Sequence, residues 1–216
     1  MPDAQHVMFD VDGTLTQSYA LDSQCYIRAV ESVTGIKISD DWARYQHVTD
    51  AGILNETMAE HGGDCSPQVH EQVKAAFLAN LNAEVAKTSV QAVPGAPAFL
   101  DYLYSQPNVS VSFATGGWRE SAFLKLESAG VPFQREAFAS SDDHYSRTEI
   151  MKIAARRAGL APGMRCTYFG DGLWDAQASR ALGYAFVRVG GTKNTLQPHE
   201  VHINDYEPLS AASACL

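Results

Sequence analysis

The chain has 216 residues, 45% apolar and 19% charged, enough to bury the core of one large domain or of a core domain carrying an insertion. Its formal net charge of −9 comes from 25 acidic against 16 basic residues without any basic run of five or more, which argues against nucleic acid and anionic membranes as partners. The four cysteines (Cys25, Cys65, Cys166 and Cys215) form no C-x-x-C pair and share no zinc spacing with histidine, so neither structural zinc nor a disulfide framework is expected.

The first strand is expected at His6–Val11, too early in the chain to leave room for a signal peptide. No apolar stretch reaches membrane-spanning length, so the cytoplasm is the expected location. From about Thr16 to Gln91 the pattern changes: Ser23–Val33, Ala51–His61 and Gln68–Asn82 have helical spacing, and no convincing strand intervenes. This stretch reads as an α-helical domain, 16–91, inserted into a core formed by 1–15 and 92–216. Pro94-Gly95-Ala96-Pro97 marks the return to that core.

Beyond it, helices and strands alternate. A helix at Pro97–Ser105 precedes a strand at Val109–Ala114, and a helix at Glu120–Ala129 ends at Gly130. A helix at Arg147–Ala158 closes at Gly159 before a strand at Cys166–Phe169. A helix at Ala176–Leu182 ends at Gly183, followed by strands at Tyr184–Val189 and, weakly, Val201–Ile203. Such alternation implies an α/β fold, a parallel sheet with helices on both faces.

In an open parallel sheet, ligands gather at the carboxyl ends of the strands. The first strand runs into Asp10-Val11-Asp12-Gly13-Thr14, the second into Thr115-Gly116-Gly117, the third into Gly170-Asp171-Gly172 with Asp175 beyond. Residues two apart on extended chain point the same way, so Asp10 and Asp12 project together. Carboxylates held close repel unless a cation joins them, and Asp171 strengthens the demand. Magnesium suits one or two carboxylates plus a substrate phosphate. Gly13 and Gly116 are expected to let backbone N–H groups approach phosphate oxygens, with the Thr115 hydroxyl as a further donor.

The run Val7-Met-Phe-Asp-Val-Asp-Gly-Thr-Leu-Thr16 resembles the first signature of the haloacid dehalogenase-like superfamily. Thr115 at a strand end, Arg147 opening a helix, and Gly170-Asp171-Gly172-x-x-Asp175 follow in that family's order. The helical insert sits where the phosphoglycolate-phosphatase-like branch places its cap. The resemblance implies a Rossmann-like core and a phosphohydrolase acting on a small phosphorylated metabolite. Carried over by position, Asp10 is the nucleophile and a magnesium ligand, and Asp12 is the general acid/base with its carbonyl on the metal. Thr115 holds the phosphoryl group, Arg147 neutralises it, Asp171 completes the metal shell, and Asp175 is a ligand or its support. The family usually has Lys where Arg147 stands, with Lys125 and Lys152 as competing cations.

Other readings remain open at this stage. They are a phosphomutase using the same intermediate, a dehalogenase (which needs no acid at the Asp12 position), a phosphonate-cleaving enzyme using Lys37, and a non-catalytic protein that binds a phosphorylated ligand. Trp118 and Trp174 are candidates for the pocket or the core. His47, Thr49 and Asp50 are candidates for substrate contact, and Asp50 equally for a helix N-cap.

Overall fold

Strand β1 (Gln5–Phe9) buries Val7 and Phe9 on one face and His6 and Met8 on the other. A strand buried on both faces belongs in the middle of a parallel sheet. The computed structural model, which describes residues 4–63, 65–161, 163–191 and 196–209, places it there. The other strands are β2 (Val109–Ala114), β3 (Phe138–Ala139), β4 (Arg165–Gly170), β5 (Ala185–Val189) and β6 (Val201–Ile203). The sheet order is β3-β2-β1-β4-β5-β6, with every neighbouring pair parallel.

Helices α4 (Ala96–Ser105) and α5 (Arg119–Ser128) cover the face carrying Val7 and Phe9. Helices α6 (Arg147–Arg157) and α7 (Leu173–Leu182) cover the Met8 face. The expected α/β fold is the observed one. Several elements differ from expectation in their bounds, α7 by starting at Leu173 and the first helix of the chain by starting at Tyr19, and two differences have a plain physical reason. β1 stops at Phe9 because the Val11 carbonyl accepts backbone N–H groups from Thr14, Leu15 and Thr16, closing a turn directly after the strand. β3 was not expected, since two residues show no periodicity; pairing with Phe113 and Ala114 defines it.

Between β1 and α4 lie α1 (Tyr19–Thr34), α2 (Asp50–Glu60) and α3 (Pro67–Val85), with a 3-10 turn at Trp42–Arg44. They pack around their own aromatic cluster of Tyr26, Trp42 and Phe77, into which Trp118 at the start of α5 inserts. The two chain segments entering and leaving this layer run side by side. Gln17 N–H donates to Gln91 O at 2.8 Å, and Val93 N–H to Leu15 O at 2.9 Å. Cys25, Cys65 and Cys166 are free thiols, and Cys215 lies outside the described residues. No helix among the described residues is long and apolar enough to cross a membrane.

Candidate active site

Register brings the strand-end residues abreast. Phe9 lies opposite Phe113 of β2 and Phe169 of β4, so Asp10 leaves the sheet beside Ala114 and Gly170, with Thr115 and Asp171 one step on. Asp10 N–H still donates to Phe169 O at 2.9 Å. This is the carboxyl edge where the strand order reverses, the usual place for a crevice in a doubly wound sheet.

α7 begins directly after Gly172, which puts Asp175 in its first turn, fully buried and pointing back to the sheet. Its carboxylate accepts from Gly172 N–H at 2.9 Å and from the Tyr168 hydroxyl at 3.2 Å. One oxygen each from Asp10, Asp171 and Asp175 fall within 4.8 Å of one another. Gly13 makes room for this grouping: at φ +74°, a Cβ there would meet Asp171 Oδ2 at 2.1 Å.

The cation at this cluster is Arg147, whose Nη1 lies 2.9 Å from Asp175 and 3.4 Å from Asp10. Its Nη2 donates to Val48 O of the helical layer at 3.0 Å, while the buried Nε has no partner. One guanidinium does not balance three carboxylates. Burial first, and then the Asp175 charge, push Asp10 up to about 8, with Arg147 opposing. Asp171 is raised well above the carboxylate range by burial, then by Asp175 and Asp10. All-oxygen donors and a deficit of positive charge fit a hard divalent cation.

The Asp12 side chain lies outside that cluster. Its Oδ1 accepts from the Ser18 hydroxyl and its Oδ2 from Lys125 Nζ at 2.6 Å. Lys125 is wholly buried and also bonds Asp22 of α1. Reading Lys125 as a rival to Arg147 missed this role, although its position, four residues after Ser121 on the buried face of α5, is a usable signal. Lys152 is half-exposed and pairs with Glu149 at 2.7 Å.

The expectation for Gly13 is corrected: its N–H is taken by Thr16 O at 2.9 Å, and the residue serves close approach to Asp171 instead. At Gly116 a Cβ would meet Arg147 Nη2 at 2.4 Å, so this glycine admits the guanidinium. Thr115 is buried at the cavity, and its Oγ1 accepts from Gly117 N–H at 3.2 Å.

The helical layer supplies the opposite wall of the cavity. Thr49 is the N-cap of α2, accepting from Gly52 N–H at 3.0 Å, so Asp50 is the first helical residue and not the cap. Asp50 is buried at the cavity and accepts from Trp118 N–H at 2.8 Å; its own N–H donates to Gly116 O at 2.8 Å. Trp174 lines the cavity, whereas Trp118 packs in the helical core. His47 packs edge-on against Tyr145, with ring centroids 5.0 Å apart.

Over residues 4–183 the sequence matches the family described as hydrolase, haloacid dehalogenase-like hydrolase. No curated protein sequence matches it. Among solved structures, a hydrolase from Pseudomonas syringae is similar at TM-score 0.72 and 21% identity, over 99% of this chain and 98% of that one. CbbY from Rhodobacter sphaeroides, in complex with phosphate, is similar at TM-score 0.73 and 16% identity, over 99% and 100%. A Bacteroides vulgatus protein assigned as a beta-phosphoglucomutase gives 0.71 and 19%, over 97% and 87%. At these identities the likeness is one of fold.

Proposed function

The chain belongs to the haloacid dehalogenase-like hydrolase family, and from that premise we propose that it is a magnesium-dependent phosphohydrolase of small phosphomonoesters. The observation that carries this reading is the meeting of Asp10, Asp171 and Asp175 beside Arg147 at the floor of a cavity roofed by the helical layer. The phosphate complex of the similar CbbY fold is consistent with it.

Asp10, Asp171 and Asp175, with the main-chain carbonyl of Asp12, would hold the metal. When bound, magnesium supplies positive charge against the phosphoryl oxygens and keeps Asp10 ionised. A carboxylate oxygen of Asp10 attacks phosphorus while the bond from phosphorus to the substrate's alcohol oxygen breaks. Asp12 gives its proton to that departing oxygen. It then takes a proton from the water that cleaves the aspartyl-phosphate, restoring Asp10 and releasing phosphate. Arg147, whose Nε is an unpartnered buried donor, and the Thr115 hydroxyl hold the phosphoryl oxygens. Residues 16–91 act as a cap over a core of 1–15 and 92–216, excluding bulk water. Free thiols support a reducing compartment, the cytoplasm.

The test is release of inorganic phosphate from an aryl phosphate with magnesium. Turnover by the wild type and none by Asp10→Asn is expected. Absence of release by the wild type would overturn the reading.

A further inference from the structure

Resting on the phosphohydrolase reading, we infer that the alcohol this enzyme releases carries an ammonium group. The floor of the cavity, at Asp10 and Arg147, is committed to the phosphoryl group. What surrounds the leaving alcohol is the wall built by the helical layer, where the partly covered carboxylate of Asp22 of α1 and the buried one of Asp50 of α2 face the cavity. Tyr19 and Trp42 of the same layer, with Trp174 of α7, add aromatic surface.

The positive charge available to this wall is already engaged. Lys125 Nζ is shared between Asp12 and Asp22, and Arg147 between Asp10 and Asp175. Among the described residues lining the cavity, Arg147 is the one cation, set against Asp10, Asp12, Asp22, Asp50 and Asp171. A divalent metal and a phosphate dianion cancel each other and bring this wall no positive charge. There Asp12 and Asp22 share one lysine, and burial raises Asp22 to about 6 and Asp50 well above the ordinary carboxylate value, so a cation entering beside them is what would hold both ionised.

Three classes of leaving group meet this wall differently. A second phosphate or a carboxylate meets like charge without a free cation, which disfavours bisphosphates. A neutral polyol hydrogen-bonds these carboxyl groups but brings no positive charge to them. An ammonium group brings that charge and is also attracted to aromatic faces.

Three esters of similar size separate these cases: 2-aminoethyl phosphate, its uncharged counterpart propyl phosphate, and carboxymethyl phosphate. The expected order of kcat/KM is amine, then neutral, then acid, with about a tenfold or greater step between the first two, equivalent to about 1.4 kcal/mol. Asp50→Asn and Asp22→Asn should each shrink the amine-to-propyl ratio, so that selectivity is read within one variant and partial loss of fold cancels. Aryl phosphate turnover with equal or better use of the propyl ester would overturn this inference and leave the phosphohydrolase reading intact. If no ester is cleaved, that reading falls, and binding still decides the inference. With magnesium and phosphate present, ethanolamine should raise the melting temperature more than propanol does; equal or smaller shifts would overturn it.

Discussion

The ammonium nitrogen of Lys125 lies 2.6 Å from Asp12 Oδ2, and the lysine side chain is wholly buried. The same nitrogen bonds Asp22 of α1, and the Ser18 hydroxyl occupies the other oxygen of Asp12. The proposed acid/base is therefore held from the core helix α5 and from the chain leading into the helical layer. Lys125 in turn joins that layer to the core.

Lys125→Met should be strongly destabilising, by about 3–5 kcal/mol, because it leaves two largely covered carboxylates without their cation. Adding Asp22→Asn should recover part of the loss, since one of the stranded charges is then gone. Urea unfolding of the single and double variants measures both. A cost below about 1 kcal/mol for the single change, the level of an exposed ion pair, would show that the pair is not buried in solution.

Asp10 and Asp12 should be separable by trapping. Asp10→Asn loses the nucleophile, so neither phosphorylation nor hydrolysis should occur. Asp12→Asn keeps the three-carboxylate cluster and loses proton transfer, a factor of about 100 to 10,000 in rate. An aryl phosphate needs little protonation of its leaving group, so this variant should still be phosphorylated and then stall. Mass spectrometry of acid-quenched protein should place one phosphoryl group on the peptide containing Asp10. Phosphate on Thr115 or on a histidine would refute the mechanism.

Magnesium binding should release protons. Without metal, Asp10 is pushed up to about 8 by burial and then by Asp175, so at neutral pH it carries a proton that a metal must displace. Affinity should therefore rise with pH up to about 8 and weaken below it. Titration calorimetry in buffers of different ionisation enthalpy reads the released proton directly. Activity should vanish in excess EDTA, and full turnover in metal-free buffer would contradict the metal assignment.

His6 gives the fold a built-in sensitivity to acid. It is wholly buried between the Ser110 and Ser112 hydroxyls, at 2.7 and 2.8 Å, and burial lowers it from 6.5 to about 4. Between those values the unfolded chain binds the extra proton, so stability is full above about 6.5 and declines as pH falls toward 4. The loss can reach about 3 kcal/mol at 1.36 kcal/mol per pKa unit. His6→Gln should flatten that part of the pH profile in urea unfolding; an unchanged slope would assign it to other groups.

Asp10, Thr115, Asp171 and Asp175 were recognisable from residue order because a parallel sheet sends the ends of its strands to one edge. Short apolar runs ending in acid-glycine turns thus already state which side chains will meet, and helix–strand alternation states the architecture. Asp22 carries no comparable mark, Asp50 only its polar loop before a helix, and Lys125 only its spacing from Ser121. A lysine on a helix and acids near helix starts are equally at home on a solvated surface until the helical layer folds over the sheet, burying Lys125 and Asp50 and partly covering Asp22. The Gly13 N–H went to Thr16 O by the same kind of closure, and β3 exists only because β2 lies beside it. Local pattern thus specified the floor of the cavity. The charge of its opposite wall came from long-range packing, because burial is a property of the neighbours a residue acquires and is not encoded at its own position.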